Sequence, residues 1–151
     1  MNDIVEKTSK GHKLGSLGAS LAILCFFLPW ILVSCGGQQA LSGWELSAGT
    51  SIGGQPIEGK PILFLVLIAG IAIIALAYLA YKRGMLTGLD GYGLIGLGVL
   101  PLIVLLAQYS SAQEQAHQQG YTFESQFGLW GVVVGYIGAI VGGVFNLNES
   151  K

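Results

Sequence analysis

Few side chains in this sequence are equipped for chemistry, and their spacing limits what each could do. The two histidines, His12 and His117, would have to act together to hold a metal. Their places relative to the apolar segments put them on opposite sides of a membrane, where they share no ligand. Glu45, Glu58, Glu114 and Glu124 carry the oxygen chemistry of a divalent-cation site, but nothing in their spacing requires joint coordination. Asp90, just ahead of an apolar run, suits a helix N-cap better than an acid catalyst. Gly53-Gly54 lacks the following Lys-Ser/Thr of a phosphate loop, and the serines have no histidine and carboxylate in a recognisable order. These residues predict no catalytic site, no bound metal and no cofactor, so the expectation is a protein that is not an enzyme.

The thiols offer more. Cys25 and Cys35 are the two cysteines; on one continuous helix they would lie about 15 Å apart, too far for a disulfide. Cys35 could pair with another chain in an oxidising compartment. Leu32-Val33-Ser34-Cys35-Gly36, after a basic start and an apolar run, also looks like a bacterial lipoprotein cleavage box. Acylation of Cys35 would then leave three spans. Against it, the apolar run is longer than a signal-peptide h-region and contains Pro29.

The elements that position these residues are apolar spans. Mean hydropathy is +0.66, and charged residues make up 10% of the chain, well below the roughly 25% of soluble domains. Four stretches are long enough to cross a bilayer as helices, at about 14–34, 61–81, 91–108 and 128–145. The expected fold is an all-α membrane protein, a single domain over residues 1–151 forming an antiparallel bundle of four transmembrane helices. The seven basic residues avoid all four spans: Lys7, Lys10 and Lys13 precede the first, Lys82 and Arg83 follow the second, Lys151 ends the chain, and only Lys60 would lie on the other side. Retention of basic loops on the cytoplasmic side predicts a multi-pass cell-membrane protein with both termini cytoplasmic. Trp30, Trp44, Tyr109 and Trp130 would mark the outer boundary, and Tyr78, Tyr81, Tyr92 and Phe145 the inner one. A net charge of −1 provides no basic field for nucleic acid.

Small residues recur on two spans. Gly11, Gly15, Gly18, Ala22 and Cys25 on the first, and Gly128, Gly131, Gly135, Gly138 and Gly142 on the fourth, follow alternating spacings of three and four. Each set forms one narrow stripe of a helix, suited to close packing against the other stripe or against another subunit. Pro29 would free the carbonyl of Cys25 and kink the first span, and Pro101 would do the same to Leu97 in the third.

Between the first two spans, Ser42-Gly43-Trp44-Glu45 fits a capping box, with Leu41 and Leu46 at the staple positions. It predicts a short helix over Gly43–Ala48 ended by Gly49 in a left-handed conformation, with Trp44 in the membrane interface. Alternation through Ala40, Ser42, Trp44, Leu46 and Ala48 favours a strand instead; the capping signal is the stronger. Residues 51–57 read as a hairpin turning at Gly53-Gly54. In the second outer loop, Ser111–Ala116 can prolong the third helix.

Phe26-Phe27-Leu28-Pro29-Trp30 leading into Val33-Ser34-Cys35-Gly36-Gly37, then Leu41-Ser42-Gly43-Trp44-Glu45-Leu46, and Phe127-Gly128-Leu129-Trp130 opening a glycine-rich span, together resemble uncharacterised small four-helix bacterial membrane proteins. The layout is similar to the claudin-like tetraspan shape in topology alone, because the paired loop cysteines of claudins are missing. The resemblance implies no activity. With spans free of ionisable groups, the expectation is a structural or accessory subunit of a membrane complex. It would assemble with itself or with other subunits through Gly15, Gly18, Ala22, Gly131, Gly135, Gly138 and Gly142, with Trp44 and Glu45 as external partner contacts. The alternative is a small channel or transporter for a neutral solute, lined by Ser20, Gln108 and Tyr136.

Overall fold

The computed structural model describes residues 2–34, 38–52, 54–83, 88–119 and 122–149. Cys35, with the lipidation it was expected to offer, and Gly53 lie outside them. The chain is mostly helical with a small sheet. In order it forms α1 (Asn2–Phe26), β1 (Pro29–Ser34), β2 (Gln38–Ser42), α2 (Gly43–Ala48), β3 (Thr50–Ile52) and β4 (Gln55–Ile57). A 3-10 turn (Pro61–Leu63) then leads into α3 (Phe64–Arg83), followed by α4 (Gly88–Gln119), β5 (Thr122–Ser125) and α5 (Phe127–Glu149).

Among the described residues, three helical stretches are long and apolar enough to cross a membrane: Pro61–Lys82, Asp90–Glu114 and Phe127–Asn148. Their apolar character on nearly every face leaves no partner for most side chains except lipid, which is why Ile68, Ile71, Ile103, Leu106 and Val134 stand exposed. α1 differs. Its first half is polar and carries Lys7, Lys10 and Lys13, and its apolar half runs only from Leu14 to Phe26, about 20 Å of helix.

The first span expected over 14–34 is therefore corrected. The helix ends at Phe26, and Pro29 opens a strand instead of kinking a longer helix. β1 is the central strand of an antiparallel sheet of order β2-β1-β5, with Leu32 opposite Ala40 on one side and Glu124 on the other. Residues 29–34 are apolar and β-branched or bulky, but at both edges they find backbone partners that a helix extension would forgo. The third strand of this sheet, β5, comes from what the sequence presented as an irregular outer loop. The assumption that made a Cys25–Cys35 bridge impossible, one helix through both, no longer holds; Cys25 itself is a buried free thiol.

α2 spans Gly43–Ala48 with Ser42 as N-cap, and β3 pairs with β4 through Ile52 and Gln55. Gly49 has φ +90° and ψ 148°, so it ends α2 at positive φ but in an extended conformation, not a left-handed helical one. α4 begins at Gly88, which places Asp90 within its first turn instead of at the N-cap; there its charge faces the positive end of the helix dipole. α4 continues through Pro101 and past the apolar region to Gln119. α1 packs along α5 and α3, and α4 packs along α5 and α3. The core between them contains Phe26, Val66, Ile73, Leu94, Val132 and Tyr136, all essentially inaccessible.

Candidate functional site

The closest approach in the molecule is made by the two small-residue stripes. α1 and α5 run antiparallel, so Gly18 meets Gly135 while Gly11 and Gly15 meet Gly142. A Cβ placed on Gly135 would stand 2.6 Å from the Gly18 carbonyl oxygen and 2.9 Å from the Ala22 amide nitrogen. One on Gly142 would stand 2.6 Å from the Gly11 carbonyl oxygen and 2.8 Å from the Gly15 nitrogen. Side chains larger than hydrogen have no place at either point. Gly131 faces the Cys25 thiol, and Gly138 lies looser, 3.7 Å from Gly18 Cα. The stripes thus lie against each other within one chain, which removes them from the surface.

Tyr136, the residue after Gly135 on the same helix, reaches across to α3, where its hydroxyl donates to the Val66 carbonyl. Ser20 and Gln108 are only partly buried, on α1 and α4. Of the three polar side chains that a solute path would use, Tyr136 has its hydroxyl committed to a neighbouring helix, and Ser20 and Gln108 lie on two other helices.

At the sheet end, an aromatic group joins α1, the sheet and α2. The β1–β2 register shifts between Pro29 and Ile31, and the extra residue, Trp30, turns its ring into the core, as a bulge allows. Its indole Nε1 donates to the Cys25 carbonyl at 2.9 Å, the carbonyl that Pro29 leaves without a helical donor. Trp30 is thus buried, at 2% exposure, and does not belong to an outer interfacial belt. Phe26 stands edge-on to it at 5.4 Å. Gly43 admits this ring, since a Cβ there would lie 2.6 Å from the indole.

The capping box of α2 is complete. The Glu45 amide donates to Ser42 Oγ at 3.3 Å, and the Glu45 carboxylate accepts from the Ser42 amide and hydroxyl, each at 2.8 Å. Glu45 is therefore engaged locally. Trp44 stacks on Phe27 at 6.0 Å and meets Phe64 edge-on at 5.4 Å, with 46% of its surface exposed. Sequence reasoning did not identify the stitch beneath α2. There the Lys60 amide donates to the Leu46 carbonyl at 2.8 Å, and Gly59 crosses so closely that a Cβ would stand 2.6 Å from the Ser47 carbonyl oxygen.

Midway along α1, Gly11 packs against the Asn146 side chain near the end of α5, a contact no sequence motif marks, and the partly buried His12 follows Gly11 on the helix. Burial pushes the His12 imidazole below its usual pKa, partly opposed by the negative charge of Asp90. Both imidazole nitrogens and both amide atoms of Asn146 are buried without a hydrogen-bond partner among the described residues. Among the described residues no three histidine, cysteine or carboxylate side chains gather as a metal site. No protein family, curated protein or solved structure matches the chain, and any function must be argued from these contacts alone.

Proposed function

We propose that this protein is a structural or accessory subunit of a membrane complex, crossing the bilayer four times as an antiparallel bundle with both termini cytoplasmic. α1 supplies the fourth crossing. Its apolar half is short, but its glycine face is covered by α5, and the paired strand β1 carries the chain onward through the interface without unpaired backbone. Lys10, Lys13 and Lys82 are exposed at the end away from the sheet, which supports placing that end on the cytoplasmic side and the sheet outside.

The observation that carries this reading is the pairing of the two small-residue stripes with each other. Their packing capacity is spent on holding one rigid unit, and what that unit holds out is the cap formed by the three-stranded sheet, α2 and the β3–β4 hairpin. The cap, with the exposed part of Trp44 at its base, is the surface offered to another subunit or to a second copy. Tyr136's bond to Val66 weakens the alternative of a channel for a neutral solute.

Purification in mild detergent, with mass spectrometry of co-eluting chains, tests the proposal. Wild type should elute with companion chains or as a defined oligomer, and Trp44→Ser should lose them while keeping its helical content. A wild-type protein that elutes alone, and whose liposomes pass neutral solutes faster than empty vesicles, would overturn it in favour of a channel.

A further inference from the structure

The side of α1 turned away from its neighbours is as regular as the glycine side. Gly11 and Gly18 lie on α5, and Ile23 meets Gly70 of α3. The remaining face carries Lys10, Leu14, Leu17, Leu21 and Leu24 at alternating spacings of four and three, with Lys13 beside them, and all six are exposed. That spacing keeps them on one stripe of the helix. From Leu14 to Leu24 the stripe is apolar for about 15 Å, half the thickness of a hydrocarbon core and so the depth of one leaflet.

Charge is confined to one end of this stripe, and it is positive there. α1 and α3 run antiparallel, with Phe26 beside Phe64 and Ile23 beside Gly70. Lys10, about 20 Å along α1 from that contact, and Lys82, about 18 Å along α3, therefore reach the same level; Lys82 is exposed as well. The acidic residues stand elsewhere. Asp3 and Glu6 precede both lysines on α1, and Glu149 follows Asn146 on α5, so all three lie farther along their helices from the leucines. Asp90 is half-buried in the first turn of α4, whose Leu94 packs on Gly15, on the glycine side of α1.

A second copy fits this face poorly. Two copies in one membrane share an orientation, so stripe against stripe would set Lys10 against Lys10 and Lys13 against Lys13. A phospholipid with an anionic headgroup complements both parts, since its phosphate accepts charge-assisted hydrogen bonds from the ammonium groups while its chain covers the leucines. We propose that this face of α1 binds an anionic phospholipid of the cytoplasmic leaflet, with the headgroup on Lys10 and Lys13 and an acyl chain along residues 14–24. The site rests on the reading that α1 crosses the bilayer with its lysines inside, and it is independent of what the cap binds.

Photolabelling of the full chain in phosphatidylcholine nanodiscs tests it, with phosphatidylglycerol and phosphatidylcholine probes that carry a diazirine on the acyl chain and with the labelled residues mapped by mass spectrometry. Phosphatidylglycerol should label residues 14–24 about fivefold more than phosphatidylcholine does, and the exposed Ile103 and Leu106 of α4 equally with both. The preference should vanish in the Lys10→Gln, Lys13→Gln double variant. In the wild type 1 M NaCl should remove it too, a check that needs no variant to fold. Equal labelling of residues 14–24 by the two probes, or a preference that survives 1 M NaCl, would overturn the headgroup site while leaving the crossing intact. Labelling of these residues by neither probe would overturn it differently: an oxidative dimer of the Leu17→Cys, Cys35→Ser chain would then assign the stripe to a second copy, and a monomer would show that α1 lies outside the lipid, ending the four-crossing reading as well.

Discussion

The two ends of the α1–α5 contact treat polar groups in opposite ways. At the sheet end the carbonyl released by Pro29 receives the Trp30 indole, the capping box covers the start of α2, and β1 is paired at both edges. At the other end Asn146 is buried against Gly11, and its amide atoms have no hydrogen-bond partner among the described residues. Between them lies the same glycine contact with α5. At the first end hydrogen bonds add to the packing, whereas at the Gly11–Asn146 contact the close backbone approach comes without a hydrogen bond to the buried amide among the described residues. The difference teaches that the helix pair is anchored at the cap and adjustable at its base, which suits a subunit whose outer surface must stay rigid.

Disrupting the shared seam should erase the comparison. Gly135→Leu forces a side chain onto the Gly18 carbonyl and Ala22 amide and should cost about 3 kcal/mol or more, read as loss of the folded species in a denaturant titration. A variant as stable as wild type would show that the helices part without penalty. Trp30→Phe tests the anchored end. It keeps most of the ring and leaves the Cys25 carbonyl with the Leu28 amide alone, at 3.2 Å, at an expected cost of about 1 kcal/mol, and the same loss in the double variant with Cys25→Ala would tie it to the backbone carbonyl and not to the thiol. Asn146→Leu should have the opposite sign, a gain of about 1–2 kcal/mol, because it removes an unpaired buried amide; a loss of stability would mean that the base is satisfied after all. The smallest effect should come from Ser42→Ala, about 1 kcal/mol from the lost cap, visible as faster exchange of the Glu45 amide, with the base of α1 untouched.

Much of this was legible from local signals. The capping box specified α2 to the residue because Ser42 and Glu45 satisfy each other within four positions, and the 3.6-residue period aligned Gly11, Gly18, Gly135 and Gly142 on single faces. The extent of the first span was not legible, since Leu28–Val33 is as apolar as a span and only pairing with β2 and β5 makes it a strand. β5 was hidden for the same reason: Thr122–Ser125 has no strong alternation, and its partner lies roughly ninety residues earlier in the sequence, a separation at which local preference carries no information. Trp30 read as an interfacial residue because composition cannot reveal the bulge that turns it inward.

Composition and charge by themselves determined that the chain carries helices made for lipid, that its basic residues avoid them, and where the small-residue faces lie, because hydropathy and helical period are properties of neighbouring residues. Only the tertiary structure decided that the two glycine faces meet within one chain, that a central strand replaces the end of the first helix, and that Asn146 is buried against Gly11. Each of these depends on which distant segment supplies the contact, and a backbone approach or an unmatched hydrogen bond exists only once two such segments are brought together.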